Sequence, residues 1–320
     1  MLRYFGQSSE PTQITLAEEL VHGWIDLLSP SCDEEHEVEQ LLNIDIPTHH
    51  DIKSIEPSSR LYREGDAVFA AAQVVIRGDS PKPRTMSVAF ILREQALLTV
   101  RYEDSTVFDL FAAECERTPG TARSGVRGLI GLLEAIVDRT SELLETVGEA
   151  VDDLPERLHP VADGAGKRKD VAELQTVFAE IQVLHRRTAK VRESLVSLGR
   201  MVGFLITQPE LNEPEVRLRA KSITRDILAL SDHASFVAQN VQFVLDAALG
   251  LVGIEQNAIV KFFSIVAVVL LPPTLIAAIY GMNFKIMPEL TWPFGYPLAI
   301  LAMISSAVLP YFWCRRRGWL

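Results

Sequence analysis

Residues 257–284 read NAIVKFFSIVAVVLLPPTLIAAIYGMNF, and beyond Lys261 this stretch holds no charged side chain. A hydrocarbon core about 30 Å thick is crossed by about 20 apolar residues in a helix, so the run is long enough to span a bilayer. A second uncharged run extends from Leu290 to Cys314, with only Lys285 to Glu289 between the two. The pair reads as a tight membrane hairpin with spans of about 260–283 and 291–314. Lys261 precedes the first run and Arg315, Arg316 and Arg317 follow the second. Positive charge marks the cytoplasmic side, so both termini are expected inside and the loop outside. Trp292, Phe294 and Tyr296 then form an outer aromatic belt, and Tyr311, Phe312, Trp313 and Trp319 an inner one. A buried helical hairpin of a soluble protein is the alternative, and it leaves the basic flank and the paired belts unexplained.

On a helical wheel with Asn257 at zero and about 100° per residue, the first span has two unlike sides. Val260, Ser264, Ala267, Leu271, Thr274 and Ala278 fall in an arc of roughly 100°, a small or polar stripe. Phe262, Ile265, Val266, Val269 and Ile276 occupy the other side. Asp246 lies three turns before Asn257 and continues the stripe. Close helix packing also favours small and hydroxyl side chains and accounts for Ser264, Ala267 and Ala278. It accounts less well for an asparagine and an aspartate near membrane depth, where polar groups face water or a partner. The stripe therefore points to a water-filled path. One hairpin cannot enclose a pore, so several subunits must surround a common axis. Pro272 and Pro273 lack amide donors and free carbonyls one turn earlier, which fits a kink for gating or for packing alike.

Upstream the pattern changes. Ala67 to Arg77 and Thr85 to Tyr102 are rich in Val, Ile, Phe and Thr, and the second stretch breaks at Arg93-Glu94-Gln95, as a hairpin does. Asp33 to Leu42 and Asp104 to Arg117 read as short helices. From Ala122 the periodicity is helical: one run to about Leu158, one over Asp170 to Thr207, and one from near Glu215 with no breaker before Pro272. The expected organisation is a mixed α/β cytoplasmic domain over 1–120, a stalk of long helices over 121–253, and the membrane hairpin over 254–320.

The 320 residues carry 31 Lys+Arg against 42 Asp+Glu, a formal charge of −11. That balance argues against a nucleic-acid binder, which needs surplus cations for phosphate. Cys32, Cys115 and Cys314 lie far apart and form no CxxC pair, as expected in a reducing compartment. The N-terminal MLRYFGQSSEPTQ has no signal-peptide core, so the chain is expected to start in the cytoplasm. No enzymatic constellation assembles. Gly164-Ala165-Gly166-Lys167 lacks the first P-loop glycine, with Arg168 in place of Ser or Thr, and His36-Glu37 lacks the second histidine of HExxH. His49-His50 is an isolated pair in a polar stretch.

Tyr280-Gly281-Met282-Asn283-Phe284 closes the first span, followed by Met287-Pro288-Glu289-Leu290. Here the chain resembles the CorA family of magnesium transporters, whose signature is YGMNF followed closely by MPEL. The likeness continues through Ile254-Glu255-Gln256-Asn257, Leu271-Pro272-Pro273-Thr274, Trp292 and Phe294-Gly295-Tyr296-Pro297. It is thinner upstream, at Trp24-Ile25-Asp26-Leu27 and Thr106-Val107-Phe108-Asp109. The resemblance implies a homopentameric funnel in the cytoplasmic (inner) membrane. Gly281, Met282 and Asn283 would be its outer ion filter and Asn257 a ring at the inner end. Leu271, Thr274 and Asp246 fall where the family has other pore rings. It also implies Mg2+ as the transported ion, with Co2+ and Ni2+ admitted, and closure by cytoplasmic Mg2+ held between subunits. No residue set stands out as the regulatory site: Asp104, Asp109, Asp226 and Asp232 are no better than the acids around them.

The chemistry is consistent with that implication. Magnesium keeps its waters, and the span offers no anionic ligands to strip them. The Asn283 amide oxygen can accept hydrogen bonds from metal-bound water. Glu289 in the outer loop fits a ring that gathers cations, or an ordinary exposed acid partly cancelled by Lys285. Lipid, divalent cations and further copies of the chain are the expected partners, with no organic cofactor. Two other functions stay open: a zinc or other transition-metal transporter of the same superfamily, and a non-conducting membrane scaffold or sensor.

Overall fold

The Val- and Ile-rich stretches become the middle of a six-stranded sheet in the computed structural model, which describes residues 1–5, 22–53, 60–118, 120–158, 171–282 and 292–318. Its strands are β1 (Leu2–Phe5), β2 (His22–Leu28), β3 (Leu61–Glu64), β4 (Ala67–Ile76), β5 (Arg84–Arg93) and β6 (Gln95–Arg101), in the spatial order β1-β2-β6-β5-β4-β3. Every neighbouring pair is antiparallel except β2–β6, which runs parallel with Asp26 beside Thr99. The expected break between β5 and β6 is a tight reversal in which Glu94 adopts a φ of 51°.

Both faces of the sheet are covered, which explains why β4, β5 and β6 read as nearly continuous apolar runs. On one face Ile25, Leu27, Phe69, Ile91, Leu98 and Val100 pack with Val38 and Leu42 of α1 (Cys32–Leu42) and Ile52 of α2 (His49–Lys53). α1 begins at a capping box: Ser31 Oγ accepts from Glu34 N, and the Glu34 carboxylate accepts from Ser31 N at 2.9 Å. Against the other face lie α3 (Thr106–Arg117), α4 (Gly125–Leu158) and α5 (Val171–Leu205). α4 sits directly on the β6 backbone because its first residue is glycine. A Cβ on Gly125 would fall 2.3 Å from the Ala96 carbonyl carbon.

The long helices carry apolar positions every three or four residues, the spacing of a one-sided helical stripe. In α5 these are Ile181, Leu184, Val191, Leu195, Leu198 and Val202, all buried. α6 (Pro214–Tyr280) is one continuous helix of 67 residues, and Val216, Ala220, Ile223 and Ile227 are buried along its beginning. The chain divides into two compact units within α6, Met1–Leu245 and Asp246–Leu320.

The second unit contains two helices long and apolar enough to cross a membrane, the end of α6 and α7 (Gly295–Arg316). α6 passes through Pro272 and Pro273 without ending. Thr274 Oγ1 donates to the carbonyls of Leu270 (3.0 Å) and Leu271 (2.8 Å), one turn back along its own helix. α7 starts at Gly295, later than the expected 291, so Trp292 and Phe294 precede the helix and pack edge to face at 6.0 Å. The large side chains of this unit are exposed to a degree no aqueous surface favours. Phe262, Phe263, Leu270, Leu301 and Leu309 are all more than half exposed.

Candidate functional site

The positions of the small and polar stripe are set by a continuous helix, so the wheel holds along the whole first span. Asp246, Asn257, Val260, Ser264, Ala267, Leu271, Thr274 and Ala278 are all exposed within the single chain. The covered positions of the same segment are Ile265, which is buried, and Val266, Val269, Pro272, Pro273 and Ile276, which are half-buried. At about 100° per residue these two sets lie on opposite sides of the helix. Ile265, Val266, Val269 and Ile276 of the large side are thus covered, whereas Phe262 of that side is 62% exposed; the stripe is bare, as are Phe263, Leu270 and Leu275 elsewhere around the helix. Bulk alone does not explain the sorting, because Leu271 and Val260 are bare at 64% and 63% exposure.

At the end of the helix Gly281 N donates to Ala277 O at 2.9 Å and Met282 N to Ile279 O at 3.3 Å, so the backbone tightens before leaving the helix. A Cβ on Gly281 would stand 3.2 Å from the Ala277 carbonyl oxygen. Met282 is 48% exposed. Asn283, Glu289 and the loop joining the two spans lie outside the described residues, as do Trp319 and the segment containing Gly164 and Gly166. The Thr274 hydroxyl spends its proton on its own helix, leaving its oxygen as an acceptor, the polarity that metal-bound water needs. At the basic end of α7, Arg317 lies over the Trp313 ring at 5.3 Å.

Within the first unit, the two upstream sequence segments meet. Trp24 Nε1 donates to Thr99 Oγ1 (2.9 Å), which donates to Asp26 Oδ1 (2.8 Å). Arg101 grips Asp26 and covers the Phe108 ring at 4.8 Å, and Trp24 stands 6.3 Å from Phe108. Asp109 pairs with Arg3 at 2.8 Å. These segments anchor α3 to the sheet. Among the described residues no group of three or more His, Cys, Asp or Glu is placed to hold a metal. Asp104 and Asp109 border one surface recess together with Asp79 and Arg139. Near Asp226, burial first and then Glu134 and Asp226 raise the Asp138 carboxyl above its ordinary value.

Comparison with known proteins identifies the family. The family model for the CorA-like Mg2+ transporter protein matches residues 20–316. The chain is 33% identical over 297 residues to the magnesium transport protein CorA of Haemophilus ducreyi, covering 93% of this chain and 92% of that one. It is 33% identical over 298 residues to the protein of the same name from Escherichia coli, with the same coverages. The complete structure of the CorA magnesium transporter from Methanocaldococcus jannaschii superposes with a TM-score of 0.76 at 20% identity, covering 97% of this chain and 94% of that one.

Proposed function

The chain belongs to the CorA-like Mg2+ transporter family, and we propose that it forms a homopentameric channel through which hydrated Mg2+ enters the cell. It is an ion transporter and not an enzyme. The observation that carries the pore reading is the bare stripe from Asp246 to Ala278, set opposite the face that packs within the chain. Five such stripes around one axis would enclose a path lined by Asn257, Ser264 and Thr274 oxygens, with Val260, Ala267, Leu271 and Ala278 between them. None of these is a ligand strong enough to strip Mg2+ of its waters. Gly281, Met282 and Asn283 would form the outer filter, with the Asn283 amides accepting hydrogen bonds from the ion's waters and Glu289 gathering cations outside.

Uptake needs no nucleotide in this scheme. Moving a double charge inward gains about 4.6 kcal/mol per 100 mV. Both termini face the cytoplasm, the spans lie in the inner membrane, and Co2+ and Ni2+ share the path. The 1–120 domain and the 121–253 helices sense cytoplasmic Mg2+, which closes the pore when it bridges acidic surfaces of neighbouring subunits. Millimolar Mg2+ should accordingly protect the cytoplasmic part from proteolysis relative to chelator.

The decisive experiment is ion flux into liposomes holding the purified protein, with and without a membrane potential. Asn283→Ala should abolish or strongly reduce Mg2+ flux at unchanged oligomer size. Asn283→Asp keeps the acceptors but adds five negative charges, and should bind cations more tightly and pass them more slowly or less selectively. A helix-capping asparagine would tolerate aspartate. Wild-type flux in both variants would remove the filter assignment, and a preference for Zn2+ over Mg2+ would redirect the ion assignment.

A further inference from the structure

β3 (Leu61–Glu64) has four residues and its partner β4 (Ala67–Ile76) has ten. Strand pairing stops at Leu61 beside Ala70, and Arg60 O accepts one further amide, from Ala71, at 2.8 Å. Past that point the outer edge of β4 would present unpaired backbone groups. α5 covers it with serines: Ser194 Oγ donates to Gln73 O (2.7 Å), and Gln73 N donates to Ser197 Oγ (2.9 Å). A helix cannot lie as close to a strand edge as another strand does. The mismatch leaves a cavity of about 580 Å³ between Arg60 and α5. That volume falls within the range of small-molecule sites, and the whole cavity belongs to the first unit.

In a chain of formal charge −11, this cavity gathers basic side chains: Arg60 from the strand side, and Arg192 and Arg200, with the imidazole of His185, from α5. Residues seven or eight apart return to the same helix face, so the three α5 groups line one side. Glu193, the acid of the lining, is engaged by Lys190 at 2.7 Å. Elsewhere arginines find carboxylates, as Arg3, Arg127 and Arg219 do. Among the described residues Arg192 and Arg200 form no ion pair. Burial, and after it the charge of Arg200, pull the Arg60 guanidinium below its ordinary value, with Glu193 acting the other way. Two guanidiniums thus repel one another at the mouth of a cavity, a situation that a bound anion reverses.

We propose that this cavity binds a nucleoside polyphosphate, with its phosphates between Arg60 and Arg200 and its base against Val196 and Arg192. Arginine forks match phosphate oxygens two at a time and stack on planar rings. Arg192 and Arg200 are separated by about 12 Å along the helix axis, more than a lone phosphate fills. The apolar Val196 stands between them, where a base fits and a bare polyphosphate gains nothing. Triphosphates carry Mg2+, so the site would let the cytoplasmic unit respond to a chelator of the transported ion.

The test is equilibrium binding to purified full-length protein in detergent, at fixed free Mg2+, with ATP, tripolyphosphate and inorganic phosphate as separate probes. ATP should saturate, bind more tightly than either phosphate probe, and weaken as salt rises. Arg192 and Arg200 are exposed, so Arg192→Gln and Arg200→Gln should fold. Each should weaken ATP binding by about tenfold or more, the worth of a charge-assisted hydrogen bond. Val196→Trp, which fills the cavity without changing charge, should do the same. ATP affinity unchanged in these variants, tripolyphosphate binding as tightly as ATP, or no saturable ATP binding would each overturn the proposal. Because the readout is binding and not flux, Asn283→Ala should retain ATP binding even when it conducts no ions.

Discussion

Arg101 and Asp26 face each other from the parallel pair β6 and β2, with Nη2 2.9 Å from Oδ2 and both side chains closed off from solvent. Arg101 Nε adds contacts to both carboxylate oxygens at 3.2 Å. A buried ion pair survives only when its remaining hydrogen bonds are satisfied. Here Thr99 serves Oδ1, and the Glu103 carbonyl takes Arg101 Nη1 at 3.1 Å.

Removing one partner leaves the other charge buried. Asp26→Ala should therefore cost roughly 3–5 kcal/mol of stability, read as a lowered urea midpoint of the full-length protein. Asp26→Asn, which keeps the shape and one acceptor, should cost less. A loss below about 1 kcal/mol for Asp26→Ala would show that the pair does not hold the parallel strands together.

The two sides of the first span predict two different failures. Ala267→Phe, on the bare stripe, should suppress Mg2+ flux while leaving oligomer size and unfolding temperature close to those of the parent. Ile265→Ala, on the covered side, removes packing, which is what holds helices together in lipid. It should lower the unfolding temperature before it touches flux. Reversal of the two phenotypes would mean that the stripe faces a neighbouring helix and not water.

Thiol reactivity supplies a topology assay. Burial first, and then the neighbouring Glu114, push the Cys115 thiol up to about 12. At neutral pH that leaves about a thousandfold less thiolate than a thiol at 9.0. Maleimide should react with the exposed Cys32 long before Cys115 in the folded protein. In a Cys32→Ser background, an impermeant maleimide applied from outside should mark Glu289→Cys. Labelling from the cytoplasmic face alone would invert the proposed orientation.

A pH effect follows from α4. The Asp138 carboxyl is raised, by burial first and then by Glu134, Asp226 and Glu142. Folding therefore favours its protonated form, and its contribution to stability declines as pH rises from the ordinary 3.8 through the raised value. Asp138→Asn removes that decline. It should raise the unfolding temperature slightly at pH 7, by the equivalent of less than about 1 kcal/mol because the side chain is only partly withdrawn from water and its charge is screened. The gain should vanish as the pH is lowered into the carboxylate range. A gain independent of pH would point to another cause.

Much of the architecture is legible in the sequence. The strands β4, β5 and β6, the helices α1 and α3, and the three long helices all begin and end within a few residues of where the apolar periodicity changes. The reversal at Glu94 is local chemistry of the same kind. α7 began late because Pro293 and the aromatic residues around it precede the helix. The stripe from Asn257 to Ala278 was legible too, since a continuous helix turns spacing into a face.

What the sequence by itself determined is therefore the set of properties that depend on neighbours in the chain: two uncharged runs, their basic flanks, an α/β beginning and a helical middle. Tertiary structure alone decided which distant groups meet. Parallel pairing of β2 with β6 put Asp26 against Arg101, 75 residues apart. A short β3 beside a long β4 left an edge for α5 to cover, and so set Arg60 near Arg200 over a cavity. The wheel defined two sides of the first span, but the fold chose which of them to cover. Periodicity acts over one helical turn or one strand pleat, whereas strand order and helix docking are settled by burying the whole core at once, and no window of sequence contains that information.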